Sequence, residues 1–178
     1  IANPNCSTII MVLPLYPQYS TTTTGSHFIL LEKIIRRRAP GMQLLKVNDF
    51  YDDGAYLDAL AATVREGIEK LPAHMRDEAQ VLFSAHSIPQ KIADAGDPYV
   101  RQTEATVSAV VERLGLPENR WTLAYQSRSG PVAWVRPDTE SVLRAVAAGG
   151  DRAVVMVPVS FVSDHVETLW EMDIYLGG

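Results

Sequence analysis

Short apolar runs rich in β-branched residues alternate along the chain with longer segments whose apolar residues recur at a spacing of three or four. The short runs predict five strands, at residues 7–15, 42–47, 79–86, 121–126 and 153–159. The longer segments predict helices at residues 26–38, 54–71, 98–114, 139–148 and from residue 164 to the end. This alternation predicts an α/β fold with Rossmann-like parallel sheets in three layers, helices covering both faces.

In parallel sheets of this kind, ligands gather at the carboxyl ends of the strands. The segments that follow the predicted strands are therefore the places where a functional site is expected. They are residues 16–26, 86–89, 126–137 and 160–171.

Composition narrows the class of protein. The chain has 178 residues, 47% of them hydrophobic, and a net charge of −5, which argues against a disordered or low-complexity chain and against nucleic acid as a partner. Cys6 is the only cysteine, so an intrachain disulfide and a cysteine-rich zinc site are excluded and a reducing compartment is expected. The apolar runs are shorter than the roughly 18 residues of a membrane span.

His86 stands at the end of the third predicted strand, in the segment FSAHSIP at residues 83–89. An imidazole there is held on a stiff element, because Pro89 keeps Ile88 extended. A histidine at physiological pH can accept a proton or bind a metal ion. Position alone favours neither this interpretation nor that of a histidine hydrogen-bonded within the fold.

Asp164, Glu167 and Glu171 would project from one face of the last predicted helix. Three carboxylates so close repel one another unless a cation lies nearby, which favours a metal site over an acidic first turn that complements the helix dipole. With one histidine in the ligand set, Fe²⁺ and Zn²⁺ both fit, and the spacing does not choose between them.

Two further segments remain open on the residues alone. Trp134 either lines a cleft or caps the core, and Arg128 pairs either with a ligand carboxylate or with a structural aspartate. Residues 16–26 place many hydroxyls before a helix, but they lack the glycines and lysine of a phosphate-binding loop.

Taken together, these segments resemble the ferrochelatase family, enzymes that insert Fe²⁺ into a porphyrin in haem synthesis. The resemblance runs in order along essentially the whole chain. Its motifs are LPLYPQYS at residues 13–20, TTGS at 23–26, FSAHSIP at 83–89, GDPY at 96–99, YQSRSGPVAW at 125–134 and FVSDHVETL at 161–169.

The resemblance implies two Rossmann-like lobes with the porphyrin in the cleft between them. Residues 1–75 would form the C-terminal part of the first lobe and residues 76–178 most of the second. Family members are longer, so we expect a fragment that lacks the front of the first lobe and the C-terminal segment.

The resemblance also assigns roles to individual residues. His86 and Glu167 are expected to be the catalytic pair and, with Asp164 and Glu171, the metal ligands. Trp134, Phe161, Tyr16 and Ser20 are expected to contact the porphyrin. Thr21 stands where animal members have a cysteine ligand of an iron–sulfur cluster, so no cluster and no other prosthetic group is expected.

The expected function is thus iron insertion into protoporphyrin IX or coproporphyrin III, with porphyrin and Fe²⁺ as the partners and substrates. A bacterial-type cytoplasmic location is expected, and peripheral contact with a membrane and a homodimer both stay open. Three alternatives remain: a cobalt or nickel tetrapyrrole chelatase, a non-catalytic tetrapyrrole or metal carrier, and a nucleotide-binding Rossmann domain.

Overall fold

The structure, a computed structural model, describes residues 8–150 and 153–163. The strands in this part of the chain are β1 (Ile9–Val12), β2 (Gln43–Lys46), β3 (Gln80–His86), β4 (Trp121–Gln126) and β5 (Val154–Pro158). The helices are α1 (Ser26–Arg38), α2 (Gly54–Glu69), α3 (Ala73–Arg76), α4 (Gln90–Asp94), α5 (Tyr99–Leu114) and α6 (Thr139–Gly149). A π-helical turn (Thr21–Gly25) precedes α1, and a 3₁₀ turn (Glu118–Arg120) precedes β4.

The strands form two parallel sheets. β1 pairs with β2, and β3 lies between β4 and β5, with Val81 opposite both Trp121 and Val155. Parallel neighbours require a crossover connection, and helices supply it here. The predicted α/β fold with parallel strands flanked by helices is confirmed.

β3 is the centre of the main core. Its residues 81–85 are buried, and Phe83 is completely so, which explains why this strand is apolar on both faces. Helices α2 and α5 pack against each other and bring Val64 and Val107 into the same cluster. The core therefore holds β3 rigidly, and with it the residue at which β3 ends.

Several helix ends follow the sequence signals. Gly115 ends α5 with φ 64°, a left-handed conformation that glycine adopts without steric cost. Asp138 caps α6, its carboxylate accepting a hydrogen bond from the N–H of Ser141 at 2.9 Å. α5 begins at Tyr99, one residue later than predicted, so Pro98 rather than Asp97 is its N-cap; the Asp97 carboxylate, one residue earlier, accepts the N–H of Tyr99 at 3.0 Å.

Other boundaries differ from the predictions. The first strand ends at Val12 rather than at residue 15, because Pro14 and Pro17 have no N–H to offer a neighbouring strand. The polar stretch before α1 is not loop throughout, since residues 21–25 form the π-helical turn. Helices α3 and α4 were not predicted, because four or five residues are too few to show a periodicity.

Two predictions lie beyond what the structure tests. The helix expected from residue 164 falls outside the described residues. The division at residues 75 and 76 stays a prediction, and α3 lies across that boundary. Of the helices described, none is both long and apolar enough to cross a membrane.

Candidate active site

His86 is the last residue of β3, at the carboxyl end of the central sheet strand. A cavity of about 150 Å³ opens beside it. Its lining residues come from the segment after β1, from the end of β3, from the start of α5 and from the segment after β5: Tyr16, Gln18, Ser20, Thr23, His86, Ile88, Tyr99, Ser160 and Phe161. The cavity thus lies where strand topology places ligand sites in this class of fold.

The ring of His86 has a defined tautomer when neutral. Its Nδ1 lies 2.7 Å from the carbonyl oxygen of Ser87. A carbonyl oxygen only accepts hydrogen bonds, so Nδ1 carries the proton and donates it. The lone pair of the neutral ring is therefore on Nε2, the atom that a proton or a metal ion would meet.

The backbone of His86 is held by two buried hydroxyl groups. The N–H of His86 donates to Ser160 Oγ at 3.1 Å, and the Tyr99 hydroxyl donates to the carbonyl oxygen of His86 at 2.8 Å. Burial raises the pKa of Tyr99 to about 12, so the hydroxyl keeps its proton at neutral pH. Both side chains lie outside β3, and neither was predicted from the sequence to be a site residue.

One aromatic ring, that of Phe161, lies against the imidazole of His86, and a second, that of Tyr16, lies against Phe161. The Phe161 ring lies edge-on to the His86 ring with centroids 6.4 Å apart, and edge-on to the Tyr16 ring with centroids 6.2 Å apart. Tyr16 in turn stacks on His27, at 6.5 Å. The structure thus brings Tyr16 and Phe161, two predicted porphyrin contacts, together with His86 in the lining of one cavity.

The hydroxyl-rich segment before α1 is tied to α5 by one carboxylate. Asp97 Oδ2 accepts hydrogen bonds from Ser20 Oγ at 3.1 Å, from the Thr21 N–H at 2.7 Å and from Thr21 Oγ1 at 2.6 Å. These donors are therefore already engaged, which leaves this segment less suited to an anion. Ser20, a predicted porphyrin contact, is buried and lines the cavity.

Gln18 lines the cavity and was not identified from the sequence as a site residue. Its Nε2 donates to Thr106 Oγ1 at 3.1 Å and to the carbonyl oxygen of Val159 at 3.2 Å. It thereby joins the segment after β1 to both α5 and the end of β5. A glutamine between a proline and a tyrosine gives no signal of such long-range contacts.

Trp134 does not line the cavity. The indole is half-buried, its Nε1 donates to the carbonyl oxygen of Ser129 at 3.0 Å, and its backbone bridges Pro89 in antiparallel fashion. Its role at a porphyrin stays a prediction. Arg128 pairs with the buried Asp138 at 3.2 Å, which decides between the two interpretations of this arginine in favour of a structural ion pair.

The predicted carboxylate ligands Asp164, Glu167 and Glu171 lie outside the described residues, and so does the juxtaposition of Glu167 with His86. Within the part of the chain that the structure covers, no group of three or more His, Cys, Asp and Glu side chains is placed to hold a metal ion. His86 is the one predicted metal ligand whose position is known.

Comparison with known proteins agrees with these features. The model of the family described as Ferrochelatase matches residues 2–177. Proteins named Ferrochelatase from Geotalea uraniireducens and Gloeobacter violaceus are 44% and 45% identical to the chain over 165 and 168 residues, in each case 93% of this chain and 50% of the relative. One from Aquifex aeolicus is 42% identical over 165 residues, 92% of this chain and 51% of that protein.

The chain spans about half the length of the curated relatives it matches. The family match nevertheless covers nearly all of its residues, including the strand end that carries His86 and the aromatic rings beside it. The parallel sheets flanked by helices are those expected of chelatase lobes. On the strength of that match, the chain belongs to the ferrochelatase family.

Proposed function

We propose that the full-length protein containing this chain inserts Fe²⁺ into a porphyrin, either protoporphyrin IX or coproporphyrin III, in haem synthesis. Membership of the ferrochelatase family supports the reaction. The position of His86, in a cavity lined by aromatic rings and hydroxyls at the carboxyl end of the central strand, is the observation that carries the site.

Insertion meets three obstacles: Fe²⁺ must lose water, two pyrrole N–H protons must leave, and a flat macrocycle must turn its nitrogen lone pairs toward the ion. Nε2 of His86 is suited to accept a pyrrole proton, because Nδ1 is engaged as a donor to Ser87 and the lone pair of the neutral ring is on Nε2. The same lone pair would serve to bind iron. The two roles therefore compete for one atom at any one moment.

Glu167 is proposed to face His86 across the porphyrin, with Asp164 and Glu171 behind it. Carboxylates in a cleft of low dielectric attract a divalent cation strongly and replace part of its hydration shell. Their assignment rests on the match of residues 161–169 to the family pattern, since these carboxylates lie outside the described residues.

Tyr16, Ser20, Phe161 and Trp134 are proposed to contact the macrocycle. Sites for drug-sized ligands measure about 300–1,000 Å³. The cavity beside His86 is about 150 Å³, too small for a whole porphyrin. We infer that the cavity receives one part of the ring and that residues elsewhere in the longer protein cover the remainder.

The proposal includes no prosthetic group. Thr21, at the position of a cluster cysteine in animal members, offers no thiolate, and its N–H and hydroxyl both bond to Asp97. The partners proposed are the two substrates, porphyrin and Fe²⁺, and the proposed location is the bacterial-type cytoplasm.

Turnover of the full-length protein tests this function. Porphyrin and Fe²⁺ are mixed without oxygen, and loss of porphyrin fluorescence reports insertion. His86→Ala and Glu167→Gln should each lower kcat by about a hundredfold or more, because loss of an acid–base group costs that much. His74→Ala, in the exposed short helix α3, should keep wild-type turnover.

Three other outcomes of these assays would each contradict one part of the proposal. Tight porphyrin binding without insertion by the wild type would identify a carrier. Preference for Co²⁺ or Ni²⁺ over Fe²⁺ would identify another tetrapyrrole chelatase. Wild-type turnover in either variant would remove that residue from the catalytic pair.

A further inference from the structure

The two peptide groups on either side of His86 Cα take part in a closed ring of hydrogen bonds with two side chains. The N–H of His86 lies 3.1 Å from Ser160 Oγ, Ser160 Oγ lies 2.5 Å from the Tyr99 hydroxyl oxygen, and that oxygen lies 2.8 Å from the carbonyl oxygen of His86. Tyr99 is 6% exposed and Ser160 4%. The ring starts and ends on one residue and is shielded from water.

The chemistry of the groups fixes the direction of every proton in this ring. The carbonyl oxygen of His86 only accepts, so the single proton of the Tyr99 hydroxyl goes to it. Ser160 must then donate to the Tyr99 oxygen, and it accepts the N–H of His86. Each hydroxyl thus donates once and accepts once around the ring.

The ring lies where β5 stops pairing with β3, while β4 still pairs with His86 through Gln126. The last register pair between β3 and β5 is Ser84 with Pro158, and the last ladder bond runs from the Val159 N–H to the carbonyl oxygen of Ser84 at 3.0 Å. Two residues further along β3, the Ser160 side chain takes the place of the backbone partner that β5 no longer offers to His86.

Tyr99 is itself anchored. It is the first residue of α5, and its N–H donates to Asp97, whose carboxylate also binds Ser20 and Thr21. A shift of Tyr99 would break its hydrogen bonds with His86 at the end of β3, with Asp97 before α5 and with Ser160 after β5. The hydroxyl is therefore a fixed point against which the end of β3 is held.

We infer that Tyr99 and Ser160 are positioning residues that fix the imidazole of His86 toward the cavity by holding its backbone in this ring. The orientation of the imidazole depends on that backbone, because Nδ1 donates to the next carbonyl, that of Ser87. The inference rests on the proposed function for its consequence in catalysis, but the ring itself can be tested without turnover.

The turnover test uses the full-length protein and the variant Tyr99→Phe, which removes two of the three bonds and keeps the aromatic packing. The expected result is a fall in kcat of about tenfold with the porphyrin KM within about twofold, because misplacing a reacting group by a fraction of an ångström lowers the rate but not ground-state binding. Ser160→Ala should lower kcat in the same direction, and Ser160→Thr, which keeps the hydroxyl, should restore it.

Tyr125→Phe is the matched control. Tyr125 is a buried tyrosine whose hydroxyl has no hydrogen-bond partner among the described residues, so its removal should leave kcat unchanged. If Tyr99→Phe matched Tyr125→Phe in kcat, or if the whole loss lay in KM, the inference would be wrong. If Tyr99→Phe does not fold, the comparison of Ser160→Ala with Ser160→Thr decides, and equal kcat in these two overturns the inference.

Hydrogen exchange of the backbone amides gives a readout that does not depend on activity. In Ser160→Ala the exchange of the His86 N–H should rise by about tenfold, since one hydrogen bond to this amide is lost, while the amide of Leu82 in the same strand stays protected. An equal rise at both amides would show general loosening and contradict the inference. A wild-type protein that shows this protection and yet does not insert iron would contradict the proposed function alone.

Discussion

Asp138 shows how a single residue can serve two parts of the structure. Its carboxylate caps α6 through the Ser141 N–H and hydroxyl, and it also pairs with Arg128 in the segment after β4. The hydrogen bond from the Ser141 hydroxyl is the main reason that the pKa of Asp138 lies below its usual value, and the positive charge of Arg128 adds to this. Burial alone would raise this pKa, so the hydrogen bonds and the nearby positive charge outweigh the cost of desolvation.

The lowered pKa of Asp138 predicts a pH dependence of stability. A carboxyl whose pKa is lower in the folded state stabilises fully above its unfolded pKa, and the stabilisation is lost as the pH falls through the folded value. Asp138→Asn should therefore lower the free energy of unfolding at pH 7 by about 1 kcal/mol. The difference from wild type should shrink as the pH falls below about 4.

Urea unfolding at pH 7 and at successive pH values down to 3 measures this difference. Asp52→Asn, which changes an exposed carboxylate, is the control and should show no such convergence. A gap between wild type and Asp138→Asn that stayed constant across this range would contradict the assignment.

Residues whose role depends on local sequence were predictable, and residues whose role depends on distant contacts were not. Gly115 and Asp138 act on helices that begin or end beside them, so their spacing alone revealed them. Tyr99 and Ser160 meet at His86 from positions 13 and 74 residues away. Only the packing of α5 and of the segment after β5 against β3 brings them together.

At the scale of elements, Gly67 sets how closely α2 approaches β5. A Cβ atom at this position would come within 2.9 Å of a methyl group of Val155, closer than such atoms lie in proteins. Gly67→Ala should therefore destabilise the protein by about 1–3 kcal/mol, although alanine favours a helix more than glycine does.

Gly54→Ala is the control for helix propensity in α2, because a Cβ atom there meets nothing within 4 Å. Thermal unfolding of the two variants separates steric contact from propensity. A Gly67→Ala variant as stable as Gly54→Ala would mean that α2 and β5 are not in close contact.

Elements that a regular apolar pattern defines were predictable from the sequence, and an element that depends on particular side-chain hydrogen bonds was not. β4 and α1 match their predicted bounds, since a regular pattern of apolar residues is enough to define them. The π-helical turn could not be predicted, because it depends on the Ser20 side chain and carbonyl accepting the N–H groups of Thr22 and Gly25. Four successive threonines carry no periodicity that would indicate it.

At the scale of the molecule, three hydrogen bonds join α5 and the segments that follow β1 and β2. The Tyr19 N–H donates to Gln102 at 2.6 Å, Gln102 donates to Asp49 at 3.1 Å, and Thr106 donates to the carbonyl oxygen of Tyr51 at 2.8 Å. These buried or half-buried bonds have fixed directions. They hold Tyr16 and Ser20 in place on the cavity that His86 lines.

Several large apolar side chains of the same region are exposed. Ile29 in α1 and Met11 in β1 are 70% and 68% exposed, and Leu30, Ile34 and Leu45 are also exposed. The sequence placed these residues in two predicted strands and one predicted helix, but it could not say what would lie against them.

The central claim is that a porphyrin is metallated at the cavity beside His86. A crystal structure of the full-length protein with a bound metal-free porphyrin tests it most directly. The macrocycle should lie against Tyr16 and Phe161, with Nε2 of His86 facing the pyrrole nitrogens and Glu167 on the opposite side of the ring. A porphyrin bound elsewhere, or residues 86 and 167 on surfaces that share no cavity, would contradict the claim.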